Sequence, residues 1–60
     1  MRIKRFEIVT GIMKIISFDE TIKNLGDENL ASINRIGVNY KLLNNQTIKT
    51  DKFEFSRFRY

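Results

Sequence analysis

The sequence predicts an α+β fold in the order ββααββ, a small antiparallel sheet of about four strands with two short helices on one face. Three observations lead there. Residues 1–16 and 38–60 are rich in strand-forming side chains and each carries a net charge of +3, whereas residues 17–37 carry −2. The acidic middle holds two sets of helix-start signals. The flanks show apolar alternation and turn residues instead.

In the first flank, RIKRFEIV reads as a strand from its β-forming residues, although cations and apolar residues fall on both parities. Phe6 and Ile8 are its expected core anchors. The following IMKIISF either pairs back through Thr10 and Gly11 as a second strand, or runs as a helix capped by Thr10. In the helix, Ile12, Ile15, Ile16 and Ile22 would form one stripe down to Gly26. Three β-branched isoleucines within five residues favour the strand.

In the middle, Ser17 followed three residues later by Glu20 is a capping-box pattern, and Gly26 stands where a C-cap glycine would. Asp27 then caps a second helix from about Glu28 to Ile36, with Leu30, Ile33 and Ile36 on one side and Gly37 ending it. Acidic residues in both first turns suit the helix dipole, so cap chemistry accounts for them.

In the last flank, Val38, Tyr40 and Leu42 alternate with Asn39 and Lys41, the period of a half-buried strand. A three-residue loop at Asn44 to Gln46, with an Asn or Gln46 in the left-handed position, sets Leu42 opposite Ile48. Ile48 differs in parity from Phe53 and Phe55, which a bulge or bend at residues 50–52 reconciles. The expected core is Leu30, Ile33, Val38, Tyr40, Leu42, Ile48 and Phe53, with Phe55 beside it.

Sixty residues amount to a single small domain, 1–60, and a folded chain of this size removes only about 60% of its extended surface from water. With no Cys and no His, neither disulfides nor a Cys/His zinc site can supplement the core. The same absence leaves catalysis poorly supplied, so the chain is expected not to be an enzyme and to take no cofactor or metal. The acids of SFDE and GDEN lack the alternating oxygen spacing of a calcium loop, and Gly11, Gly26 and Gly37 are too scattered to cradle a phosphate. A helix-turn-helix at LGDEN would bring carboxylates towards DNA phosphates, which argues against that mode.

Binding remains. DKFEFSRFRY interleaves aromatic and basic residues, and Phe58 and Tyr60 lie off the parity of Phe53 and Phe55, so one regular strand cannot bury all four on one face. The expected partner-binding residues are Arg57, Phe58, Arg59 and Tyr60, together with Arg2, Lys4, Arg5 and Lys52. The leading expectation is an accessory protein that binds a larger host protein, such as a phage-type inhibitor or adaptor, through a basic aromatic surface or a strand edge. The alternative is a small nucleic-acid-binding protein, motivated by the net charge of +4, the pI near 9.8 and the C-terminal cluster. A homodimer also fits so small a core. No stretch nears the roughly 20 apolar residues that span a bilayer, and no run of signal-peptide length follows the basic start, so a cytoplasmic location without membrane contact is expected. Abundant Ile, Lys and Asn with no Pro or Trp fits an AT-rich gene, as bacteria and their phages often carry.

Overall fold

The computed structural model describes residues 1–27, Asp27 as backbone only, and residues 34–59. In chain order it contains β1 (Arg2–Glu7), β2 (Met13–Ser17), α1 (Phe18–Asp27), α2 (Arg35–Leu43), β3 (Ile48–Lys49) and β4 (Phe53–Arg57). The four strands form one antiparallel sheet in the order β2-β1-β4-β3, so the predicted fold class and element order hold.

Residues 13–17 take the strand alternative, and the β1–β2 hairpin closes through Thr10 and Gly11 as expected. The Gly11 N–H donates to the Glu7 carbonyl at 2.8 Å and the Glu7 N–H donates to the Ile12 carbonyl at 2.8 Å, which sets two residues against one. Gly11 has φ 73°, a left-handed conformation that glycine adopts without steric cost. The strand then runs directly into α1. Ser17 is the N-cap the sequence predicts, its Oγ accepting from the Glu20 N–H at 3.1 Å. Gly26 is the penultimate residue of α1 rather than a residue beyond its end.

The second helix departs from expectation. It spans Arg35–Leu43, and its N-cap is Asn34, whose side chain accepts from the Ile36 N–H at 2.8 Å. Asp27 belongs to α1 and does not cap α2, and Gly37 lies inside α2 instead of ending it. Most of the expected helix at 28–36, including Leu30 and Ile33, lies outside the described residues. VNYKLL is therefore helical, not a strand. Val38 and Leu42 are four residues apart, and that spacing satisfies both the period of 2 and one face of a helix. What decides the outcome is the sequence on either side. Asn34 caps the start, and NNQ ends the helix with capping bonds that include Asn45 N–H to Leu42 O at 3.0 Å, Gln46 N–H to Lys41 O at 2.9 Å and the Asn44 side-chain amide to Tyr40 O at 2.8 Å. Asn45 has φ 61°, so the left-handed residue falls within the expected loop but directly follows the helix C-cap, Asn44.

With that segment helical, the last two strands come from residues 48–57. Of the bulge or bend expected at residues 50–52, the bend is found: Asp51 and Lys52 bend the chain into the turn of a β3–β4 hairpin, pairing Lys49 with Glu54 and Ile48 with Phe55. The Thr50 hydroxyl holds the turn, accepting from the Lys52 N–H at 3.2 Å and the Phe53 N–H at 3.0 Å.

One core joins the helices to one face of the sheet. Ile3, Ile16, Leu25, Val38, Leu42 and Phe55 are buried in it, with Phe18, Ile22, Ile48 and Phe53 packed against them. Each fully buried side chain of this kind contributes about 1.5–3 kcal/mol. Ile3 faces Ile16 across β1 and β2, while Phe55 faces Arg5 on one side and Ile48 on the other. α1 lies over β1 and β2, and α2 lies over β3 and β4. Thr21 is also fully buried, and its hydroxyl donates to the Ser17 carbonyl at 3.0 Å. Three expected core residues lie elsewhere: Tyr40 is 67% exposed on the outside of α2, and Phe6 and Ile8 sit on the sheet face away from the helices at 37% and 39%.

Candidate functional site: the uncovered sheet face

Both helices cover the same face of the sheet, so the register determines what the other face presents. Strand alternation turns Ile3, Arg5 and Glu7 towards the helices and Arg2, Lys4 and Phe6 away from them. The outer face then reads, from β2 through β1 to β4, as three rows. Ser17, Arg2 and Phe58 make one, Ile15, Lys4 and Ser56 the next, and Met13, Phe6 and Glu54 the third, with Lys49 beyond Glu54 on β3. Phe58 belongs to the first row because pairing continues past the end of β4, the Phe58 N–H donating to the Arg2 carbonyl at 3.0 Å.

The face is apolar towards β2 and charged towards β3. Met13 and Ile15 are 49% and 41% exposed and flank the half-exposed Phe6. Lys4, Phe6, Met13, Thr47, Glu54 and Ser56 line a shallow open depression at its centre. The Lys4 side chain makes no ion pair or hydrogen bond among the described residues, so its charge faces solvent.

The expected binding residues do not all meet here. Arg2, Lys4 and Phe58 share the outer face, and Lys52 sits at the β3–β4 turn, where its carbonyl accepts from the Ile8 N–H at 2.9 Å. Arg5 points the other way. Its side chain is 16% exposed, donates to Glu20 Oε2 at 3.2 Å and to Asn24 Oδ1, and stacks 4.9 Å from the centre of the Phe53 ring. It ties α1 to the sheet. Arg57 shares the parity of Phe55 and Ile3, on the helix side, and Arg59 is exposed beyond β4. Tyr60 lies outside the described residues.

In the sequence Phe6 reads as a core residue, and nothing marks Met13 or Ile15 for an open face. The available signal was that residues 2, 4 and 6 share a parity, which combines two cations with a ring. It was masked because residues 3, 5 and 7 are equally mixed.

Among the described residues no three carboxylates gather to hold a metal ion, and no helix is long and apolar enough to cross a membrane. Comparison with protein-family models, curated proteins and solved structures finds no match to this chain.

Proposed function

We propose that this chain is a small, non-enzymatic accessory protein of the cytoplasm, of the phage-type inhibitor or adaptor kind, that holds a larger protein on its uncovered sheet face. The observation that carries the reading is the composition of that face. Its exposed apolar residues are Phe6, Ile8, Met13 and Ile15, mostly aliphatic, set beside Arg2 and Lys4. An apolar centre with a cationic rim suits a protein interface, where desolvated side chains provide the affinity and the rim steers approach.

Binding of single-stranded nucleic acid is the second reading, favoured by the placement of Phe6 and Phe58 on the same face as Arg2 and Lys4. Two features count against it. Met13 and Ile15 have no ring to stack on a base, and Glu54 stands beside Phe6 where a phosphate would be repelled. The test is capture from a cell lysate with and without nuclease. A captured protein that survives nuclease and is lost with the Phe6→Ser/Ile15→Ser double variant supports the first reading. Loss on nuclease treatment supports the second.

A further inference from the structure

We infer that the open edge of β2 takes up an extended segment of a partner protein, one that sets an acidic residue against Lys14 between apolar residues beside Met13 and Ile15. This rests on the protein-binding reading above and deepens it by naming the partner's chemistry.

The first support is the hydrogen-bond parity of the sheet. The Phe58 N–H donates to the Arg2 carbonyl and the Ile8 N–H to the Lys52 carbonyl, so the even-numbered residues of β1 spend their backbone groups on β4. The odd ones, including Glu7 with its bond to Ile12, spend theirs on β2. Ile3 with Ile16 and Arg5 with Lys14 are therefore the hydrogen-bonded pairs. It follows that the N–H and C=O groups of Met13 and Ile15 point away from the sheet, and no strand among the described residues pairs with that side of β2. The opposite edge, β3, is only two residues long, so β2 is the edge with room for an added strand.

The second support is charge. Lys14 stands opposite Arg5 on the helix side of the sheet, and Arg5 takes Glu20 for itself. Lys14 is exposed, and its side chain has no ion pair or hydrogen bond among the described residues. Its nearest cross-strand neighbour is thus a cation, and a carboxylate arriving on the open side would supply the missing counter-charge. The same lysine disfavours a second copy of this chain. A two-fold axis at Lys14 would set it opposite its own mate, and an axis at Ile15 would set the two diagonally adjacent, between chains that each carry +4. Ile15 and Met13 continue the apolar part of the open face up to this edge, so an added strand with apolar residues on that side extends one surface.

The test uses the full chain, labelled with 15N, and two short capped peptides, one alternating valine with glutamate and one alternating valine with lysine. The glutamate peptide is expected to bind roughly threefold to thirtyfold tighter than the lysine peptide. Its binding should slow hydrogen exchange at the Met13 and Ile15 amides, and Lys14→Glu should reverse the preference. Equal binding of the two peptides, absence of binding, or no added protection at Ile15 would overturn the inference. Protection of Ile15 that grows with protein concentration alone would also overturn it, in favour of self-association. A protein partner that is captured through Phe6 while these peptides leave Ile15 unprotected would retain the proposed function and remove only the edge.

Discussion

Phe6 stands opposite Met13 across β1 and β2 on the face that neither helix covers, while three residues along each strand Ile3 stands opposite Ile16 beneath the helices. The two pairs differ in what a substitution removes. Ile3→Ala or Phe55→Ala empties a fully buried site and is expected to cost about 2–5 kcal/mol, enough to unfold so small a domain. Met13→Ser or Ile15→Ser is expected to cost about 0.5–1.5 kcal/mol. Urea or thermal denaturation of the four variants distinguishes the faces.

The helical assignment of residues 35–43 has its own consequences. Leu42 is fully buried and Tyr40 largely exposed, so Leu42→Ala should cost about 2–5 kcal/mol and Tyr40→Ala less than about 1 kcal/mol. A strand with both residues facing the core would give large losses for both. Gly37→Ala should raise stability by about 0.5–1 kcal/mol, since glycine is a poor residue inside a helix. Its new Cβ would meet nothing nearer than Asn34 Cβ at 3.9 Å.

Ser17 and Asn34 cap α1 and α2, and replacing either with Ala should lower stability by about 0.5–2 kcal/mol. Partner affinity, measured where the variants remain folded, should change little. A large affinity loss at unchanged stability would show that these side chains touch the partner instead.

Arg5 is expected to behave as a structural residue. Arg5→Ala removes its bonds to Glu20 and Asn24 and its contact with Phe53, and should cost about 1–3 kcal/mol. Arg5→Lys should restore only part of that loss, because an ammonium lacks the planar fork that reaches both acceptors. Lys4→Ala, with no ion pair to lose among the described residues, should be nearly neutral by the same denaturation measurement.

What the sequence revealed follows from how local each signal was. The β1–β2 hairpin and the Ser17 cap were legible because a turn glycine, a run of isoleucines and a capping box each act within a few residues. The segment from Val38 to Leu42 reads equally as strand or helix because residues four apart satisfy both periods, and the deciding features are the caps at Asn34 and Asn44 with the left-handed Asn45 behind them. The uncovered face was only partly legible. Its cations were visible, but whether Phe6 or Arg5 faced the core depended on Glu20 and Asn24, fifteen and nineteen positions away from Arg5. No pattern within β1 encodes that choice.

A protein held on the uncovered face is the proposal that binding data test most directly. The most direct measurement is calorimetric titration of the nuclease-resistant captured partner into the parent chain and into Phe6→Ser/Ile15→Ser, at two salt concentrations. Affinity for the parent should change little with salt, and the double variant, still folded by circular dichroism, should bind at least about thirtyfold more weakly, as expected when hot-spot side chains are removed. The opposite result would be equal affinity for both chains, or an affinity for the parent that falls steeply as salt rises, the response of screened surface charges and not of desolvated side chains.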